Sequence, residues 1–242
     1  MGCDEFRFKR FTVRQAGAAM KVGTDSVLLG AWCGLKDRPA TALDIGTGTG
    51  LLALMIAQRS EGWGCRIDAV ELDVGAYRQA CENFTASPWA AGIAAYHQSI
   101  QDFILRGNRY ALVIANPPYF ENSLHCPDSV RMAARHTAGL PYEELVRCAA
   151  ASLNDEGQFA VIVPHAVAWH VCGQAQGQGL HLHKRTEVYP RPGADPIRSM
   201  MMFGRTPPAD EAAADTLVIE EGGRHRYSAE YIELTRDFYL KF

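Results

Sequence analysis

Short apolar runs alternate with segments of helical periodicity through the middle of this chain, and that alternation constrains the fold more than any other feature. The apolar runs have few polar interruptions, which is typical of strands buried on both faces of a parallel sheet. The sequence therefore predicts an α/β fold with helices on both faces of a mostly parallel sheet. Strands are predicted at 41–45, 65–70, 93–97, 110–115 and 158–163, and helices at 50–60, 73–86, 141–153 and 165–176.

Two later segments, 181–189 and 198–205, have strand character and flank a loop rich in proline and glycine. Such a pair predicts an antiparallel hairpin at one edge of the sheet. Residues 206–216 are small, polar or proline, and we expect an exposed connector there.

A final helix is predicted to begin after Ser228, whose hydroxyl can cap it, and to run through apolar positions at Tyr231, Leu234 and Phe238. No internal repeat or low-complexity tract interrupts the chain. We therefore expect one domain over 1–242. It would consist of an amino-terminal extension at 1–38, a core at 39–206 and a carboxyl-terminal extension at 207–242.

The composition argues against several classes of protein. Hydrophobic residues make up 48% of the 242 residues and charged residues 21%, as in ordinary soluble globular proteins. No apolar run reaches the roughly 18 residues of a membrane-spanning helix, and the amino terminus lacks the apolar stretch of a signal peptide. We therefore expect a cytoplasmic protein without a membrane partner. The seven cysteines form no Cys-x-x-Cys pair, which predicts reduced thiols and no metal site.

Basic residues cluster locally although the formal net charge is −3. The first cluster occupies 7–21 without an acidic residue and contains Arg7, Lys9, Arg10, Arg14 and Lys21. A second cluster follows residue 130 and includes Arg131 and Arg135. Because local basic patches can bind phosphate even on an acidic protein, both clusters are candidate nucleic-acid contacts.

A glycine-rich turn, with Gly46, Gly48 and Gly50, separates the strand at 41–45 from the next helix. Glycines at such a turn let the backbone approach a ligand closely, and the following helix offers unpaired N–H groups. The spacing differs from the dinucleotide fingerprint and from the P-loop. Asp44, just before the glycines, would repel a pyrophosphate but suits a positive amino group. Glu71 ends the next strand, 21 positions beyond Gly50, where a carboxylate can accept hydrogen bonds from both ribose hydroxyls.

The strand at 110–115 stops at Asn116-Pro117-Pro118-Tyr119. Two consecutive prolines cannot donate hydrogen bonds to a sheet, so the strand must end there. An amide side chain, a backbone carbonyl and an aromatic ring then follow its carboxyl end. This set can accept hydrogen bonds from a planar amino group and stack on it, although taken alone it is equally consistent with a stiff turn.

Together, the glycine turn, the acidic end of the second strand and the Asn-Pro-Pro-Tyr motif resemble those of class I S-adenosylmethionine-dependent methyltransferases that act on amino groups. The resemblance implies a Rossmann-like sheet of seven strands and S-adenosylmethionine as cofactor. It implies that Asp44 and the three glycines hold the methionine part and that Glu71 holds the ribose, with Leu72 as a further cofactor-binding residue. Asp102 would lie by the adenine, or would instead cap a helix.

The segment before the glycine strand is similar to the cofactor lid of the same family. The resemblance implies that Lys21, Gly23, Thr24 and Asp25 contact the methionine. Taken alone, Thr24 or Asp25 would be no more than a helix cap. The resemblance also extends the expected cofactor site to Asn116.

Over its whole length the chain is similar to the bacterial tRNA(Val) adenine-37 N6-methyltransferases, notably at Lys-x-Gly-Thr-Asp and Asn-Pro-Pro-Tyr-Phe. The resemblance implies a tRNA substrate and a catalytic group of Asn116, Pro117 and Tyr119. The Asn116 side-chain oxygen and the Pro117 carbonyl would each accept one N6–H bond. Tyr119 or Phe120 would stack on the base once it has left its own stack.

Further substrate contacts are expected at Pro118, Arg131 and Arg135, the two arginines as phosphate ligands. Other amines stay open as substrates, namely a guanine amine of ribosomal RNA or a glutamine amide of a release factor. A non-catalytic module that only binds S-adenosylmethionine is the alternative from a different class. We predict no obligate protein partner.

Overall fold

The computed structural model describes residues 4–16, 21–35, 38–118, 140–209 and 214–242. The strands are β1 (Glu5–Arg7), β2 (Thr12–Arg14), β3 (Thr41–Ile45), β4 (Arg66–Glu71), β5 (Ile93–His97), β6 (Tyr110–Ala115), β7 (Leu153–Pro164), β8 (His181–Tyr189), β9 (Arg198–Gly204) and β10 (Ala214–Val218). The helices are α1 (Thr24–Trp32), α2 (Leu51–Arg59), α3 (Val74–Thr85), α4 (Ile100–Ile104), α5 (Tyr142–Ser152), α6 (Ala168–Gly177) and α7 (Ala229–Thr235). Single 3₁₀ turns occupy Ala90–Gly92 and His165–Val167.

Eight strands of the described chain form one sheet in the order β10-β8-β9-β7-β6-β3-β4-β5, and β1 and β2 form a separate antiparallel hairpin. β9 is antiparallel to its neighbours β7 and β8. All other pairs in the large sheet are parallel. The predicted mostly parallel α/β sheet with an antiparallel hairpin is confirmed.

The sheet has one strand more than the seven that the sequence implied. β10 pairs in parallel with β8 and forms the outer edge, so the β8–β9 hairpin lies inside that edge. The prediction of a connector over 206–216 is wrong at its end, because β10 begins at Ala214. Leu217 is the only buried residue of β10, so an apolar pattern does not reveal this edge strand.

Helices cover both faces of the sheet. Successive side chains of a strand point to opposite faces, so one strand can contribute to a core on each face. Leu112 and Ile114 of β6 belong to a core that includes α1 and α2. Val113 and Ala115 of the same strand belong to a second core that includes α5 and α6. β6 therefore contributes apolar side chains to both faces of the sheet, as its uninterrupted apolar run indicates.

The carboxyl-terminal helix α7 is capped as predicted, because the Ser228 hydroxyl oxygen accepts a hydrogen bond of 3.0 Å from the Tyr231 N–H. The predicted extent was too long, since the helix ends at Thr235. Phe238 is buried beyond the helix, and its carbonyl accepts a 2.8 Å hydrogen bond from the Lys9 N–H. The last residues of the chain therefore pack against the amino-terminal hairpin. None of the helices described here is long and apolar enough to cross a membrane.

Candidate active site

The sheet order brings three predicted site segments to one edge. β3 lies between β4 and β6 and is parallel to both. The carboxyl ends of parallel strands meet at the same edge of a sheet, where α/β proteins bind ligands. The glycine turn after β3, Glu71 at the end of β4 and Asn116 directly after β6 therefore line a common edge.

The three glycines of the turn have two different structural roles. Gly46, Gly48 and Gly50 have φ angles of +68°, +57° and +84°, a region that favours glycine. A Cβ on Gly46 or Gly48 would meet nothing within 4 Å, so these positions border open space. A Cβ on Gly50 would lie 2.4 Å from the Phe84 ring. The first two glycines thus expose backbone to a ligand, and the third permits close packing.

Asp44 is fully buried beneath the turn. Its Oδ2 accepts hydrogen bonds from the Thr47 hydroxyl at 2.5 Å and from the Ala53 N–H at 3.2 Å. Its Oδ1 has no hydrogen-bond partner within the described chain. Burial raises the pKa of the carboxyl to about 7, although both hydrogen bonds act in the opposite direction. An unpaired buried acceptor of this kind fits the positive amino group of a methionine ligand.

Glu71 joins the end of β4 to the glycine turn. Its Oε2 accepts a 2.8 Å hydrogen bond from the Gly48 N–H, and its Oε1 accepts bonds of 2.9 Å from the N–H groups of Leu72 and Asp73. A carboxylate has about four acceptor sites in total, and three are used, so about one site remains for a ribose hydroxyl. The neighbouring Leu72 is 62% exposed and provides an apolar surface beside that carboxylate.

Asp102 lies in the first turn of α4, and Ser99 rather than Asp102 is the N-cap residue, so the helix-cap alternative for Asp102 is wrong. Ser99 caps α4 by accepting a 3.0 Å hydrogen bond from the Asp102 N–H, and the Ser99 hydroxyl donates to Asp102 Oδ2 at 2.6 Å. Asp102 itself is exposed. Its expected position beside an adenine stays a prediction.

The predicted lid residues lie at the start of α1. Gly23 is the N-cap residue, without a side-chain capping bond, so neither Thr24 nor Asp25 caps this helix. Asp25 instead forms an ion pair with Arg198 at the start of β9, with 2.9 Å between Asp25 Oδ2 and Arg198 Nε. Lys21 and Thr24 are exposed, and their contact with a methionine stays a prediction.

Asn116 is held by a residue that the sequence patterns did not reveal. Its Nδ2 donates a 2.8 Å hydrogen bond to the hydroxyl oxygen of Ser26 in the first turn of α1. Pro117 is buried and Pro118 is half-buried beside it. Ser26 directly follows the lid motif, but no spacing rule links two residues 90 positions apart.

Four predicted residues, Tyr119, Phe120, Arg131 and Arg135, lie in the 119–139 segment, outside the described residues. Their proposed roles as stacking and phosphate-binding groups therefore stay predictions.

Asn83 was also missed, although it ties the amino-terminal hairpin to the glycine turn. This buried amide donates hydrogen bonds of 2.9 Å to the carbonyl oxygens of Arg14 and Thr49. Its Oδ1 accepts a 2.9 Å bond from the Arg14 N–H. The basic hairpin is thus anchored directly to the predicted cofactor loop.

Several basic residues of that hairpin have intramolecular partners. Arg10 forms two hydrogen bonds with the Glu61 carboxylate, at 2.8 and 2.9 Å. Arg14 lies 3.4 Å from a Glu5 oxygen. A groove of about 680 Å³ beside them is lined in part by Arg7, Arg10 and Arg14. These pairs partly neutralise the groove, so a phosphate would have to compete with the two glutamates.

Across the ranges that the structure describes, no three His, Cys, Asp or Glu side chains are grouped so that they could hold a metal ion.

Comparisons with known proteins place this site in context. Residues 27–175 match the family model described as "Methyltransferase small domain". A protein of Bacteroides fragilis named tRNA1(Val) (adenine(37)-N6)-methyltransferase is 43% identical over 238 residues, 98% of each chain. A protein of the same name from Flavobacterium johnsoniae is 42% identical, and the match covers 98% of this chain and 99% of that protein. Another from Salmonella enteritidis is 43% identical, and the match covers 97% of this chain and 94% of that protein.

Solved structures show the same fold at lower identity. A predicted O-methyltransferase of Agrobacterium tumefaciens has a TM-score of 0.67 at 20% identity, covering 88% of this chain and 96% of its own. TrmN of Thermus thermophilus has a TM-score of 0.58 at 21% identity, covering 78% of this chain and 52% of its own. These likenesses confirm the Rossmann-like fold implied by the sequence.

Proposed function

This chain belongs to the methyltransferase small domain family, and we propose that it methylates N6 of an adenine in tRNA, at position 37 of tRNA(Val), with S-adenosylmethionine as methyl donor. Three bacterial relatives at 42–43% identity over nearly the whole chain carry that activity in their names. The structural observation that carries the proposal is the position of Asn116, at the end of the strand next to the glycine turn. This arrangement sets an amide acceptor beside a cofactor-type loop.

The residues at the edge of β3 and β4 fit S-adenosylmethionine. The unpaired Oδ1 of Asp44 and the open space at Gly46 and Gly48 suit the methionine part, and Glu71 suits the ribose. When bound, the cofactor supplies an electrophilic methyl group on a positively charged sulfur. From the family resemblance, Lys21, Gly23 and Thr24 are proposed to contact the methionine part, and Asp102 to lie by the adenine.

Asn116 and Pro117 are proposed to hold the reacting amine. The exocyclic amine of adenine is a poor nucleophile, because its lone pair is delocalised into the ring. The Asn116 oxygen and the Pro117 carbonyl would each accept one N6–H, and such acceptors favour the positive charge that develops on nitrogen during transfer. Holding the amine in line with the methyl group lowers the barrier further. A strong base is not required, because the methylated amine is acidic enough to lose its proton to water.

Recognition of the RNA is proposed to use two groups of residues. Tyr119 or Phe120 would stack on the target base, and Pro118 would border it. Arg131, Arg135 and the basic amino-terminal hairpin would contact phosphates. We place the enzyme in the cytoplasm on the basis of its tRNA substrate.

The decisive experiment incubates the protein with isotope-labelled S-adenosylmethionine and tRNA from a strain that lacks the corresponding gene. Mass spectrometry of the nucleosides should detect labelled N6-methyladenosine, and fragment mapping should locate it at position 37 of tRNA(Val). Ribosomal RNA and a release factor serve as competing substrates. Label in a guanine or a glutamine amide, with none in tRNA, would replace the proposal. Cofactor binding without transfer to any of the three would favour a non-catalytic module.

A further inference from the structure

Ser26 uses its hydroxyl for a distant contact. Serine inside a helix commonly bonds back to a carbonyl of its own helix, or caps the helix start. Here the hydroxyl oxygen instead accepts the 2.8 Å hydrogen bond from Asn116 Nδ2. Within the described residues this is the only side-chain hydrogen bond of Ser26. The contact therefore joins α1 to the end of β6.

Both sides of this contact are anchored independently of it. The first turn of α1 is tied to β9 by the 2.9 Å pair of Asp25 and Arg198. The last turn is tied to β8 by a 2.8 Å hydrogen bond from the Trp32 indole N–H to the Thr186 hydroxyl. On the other side, buried Pro117 follows Asn116 directly and restricts its backbone. What the Ser26 contact can influence at Asn116 is therefore the rotation of its side chain.

That rotation matters because an asparagine carboxamide has one donor end and one acceptor end. Only the oxygen can receive an N–H from an adenine amine. A hydrogen bond that engages Nδ2 turns the donor end toward α1 and sets the amide plane. It also polarises the amide, which makes Oδ1 a stronger acceptor.

We propose that Ser26 is a positioning residue for methyl transfer, which orients the Asn116 carboxamide so that its oxygen faces the substrate amine. The inference rests on the function proposed above, because it assumes that Asn116 binds the reacting amine. Ser26 acts through Asn116 and need not touch the cofactor or the RNA. Its removal should therefore slow the chemical step and leave binding unchanged.

The test measures single-turnover methyl transfer to unmodified tRNA for Ser26→Ala, Ser26→Cys and Ser26→Thr. Alanine removes the acceptor, cysteine keeps a similar volume with a much weaker acceptor, and threonine retains the hydroxyl. Ser152→Ala is the matched control, because Ser152 is also a helical serine but its hydroxyl donates only to the Cys148 carbonyl of its own helix, at 2.8 Å. The dissociation constant for S-adenosylmethionine, the KM for tRNA and the Tm are measured for each variant.

We expect the alanine and cysteine variants to lose about tenfold in rate, the order of one net hydrogen bond. Their cofactor affinity and KM should stay within about twofold of wild type, and Ser26→Thr and Ser152→Ala should retain wild-type rates. An unchanged rate in Ser26→Ala, a loss confined to KM or cofactor affinity, or an equal loss in Ser152→Ala would overturn the inference. Absence of N6-methyladenosine with the wild-type protein would instead refute the proposed function, and the inference with it.

Discussion

The proposed cofactor edge at β3 and β4 and the proposed amine site at the end of β6 are assembled in different ways. At the cofactor edge, Asp44 contacts Thr47 and Ala53, and Gly48 contacts Glu71, so these three hydrogen bonds span at most 23 positions. At the amine site, Asn116 contacts Ser26 across 90 positions. The neighbouring pair of Asp25 and Arg198 spans 173 positions.

This difference in assembly corresponds to two proposed tasks, binding of the cofactor at one site and orientation of the substrate amine at the other. The cofactor edge is formed largely by one β-turn-α-β segment, whose backbone conformation is set by local glycines. The amine site requires α1, β6 and β9 to pack correctly before its side chains meet. Substitutions at the first site should therefore affect cofactor binding or folding, whereas substitutions at the second should affect the chemical step.

The largest expected effect tests this separation at Asn116. Asn116→Ala should lower the single-turnover rate about 100- to 1,000-fold, the usual cost of removing one aimed hydrogen-bonding group. Its affinity for S-adenosylmethionine, measured by calorimetry, should stay within about threefold of wild type. An equal loss of cofactor affinity would show that the two sites are not separable.

The next effect concerns folding at the cofactor edge. Gly50→Ala should lower the free energy of unfolding by about 3 kcal/mol, because it combines left-handed backbone strain with a clash against Phe84. Gly107→Ala is the control, since Gly107 has a φ of +74° and open space at its Cβ. It should lose only about 1–2 kcal/mol in the same urea titration. Equal losses would mean that the Phe84 contact relaxes without cost.

The third effect is a pH dependence that originates at Asp44. Its pKa in the folded protein is about 7, against an ordinary 3.8. The free-energy penalty of burying the charge is therefore absent below about pH 4 and complete above about pH 7. If the Asp44 carboxylate binds the cofactor amino group, as proposed, cofactor affinity should be about tenfold weaker at pH 6 than at pH 8.

Asp44→Asn provides the control for that pH dependence, because it removes the titrating group and leaves the titration of the cofactor unchanged. The ratio of wild-type to variant affinity, from calorimetry at several pH values, should rise with pH and level off above about pH 7. A constant ratio would exclude Asp44 as the origin.

The smallest effect distinguishes two roles for Asp25. If Asp25 serves only to pair with Arg198, Asp25→Asn and Arg198→Gln should each change cofactor affinity by less than about threefold. Their coupling in a double-mutant cycle of unfolding should be about 0.5–1 kcal/mol, as for partly exposed ion pairs. A large loss of cofactor affinity in Asp25→Asn alone would instead support the methionine contact that the family resemblance implies.

Much of the cofactor edge was predictable because its signals are local. The positive φ angles of Gly46, Gly48 and Gly50 follow from a tight strand-to-helix turn, and Glu71 follows from the end of the next strand. The roles of Ser26 and Asn83 were not predictable, because a serine or asparagine in a helix has no periodicity that names a distant partner. β10 was missed for a related reason, since an edge strand with one buried side chain has no apolar pattern.

The sequence by itself determined the α/β class, the glycine turn with its two carboxylates, and the end of β6 at two prolines. These features depend on φ angles, hydrogen-bonding capacity and apolar periodicity, which are properties of neighbouring residues. Only the tertiary structure decided that Asp44 is buried with an unpaired oxygen, that Asp25 pairs with Arg198, and that Ser26 holds Asn116. Those contacts depend on how helices and strands distant in sequence pack together, and packing joins residues that no local pattern relates.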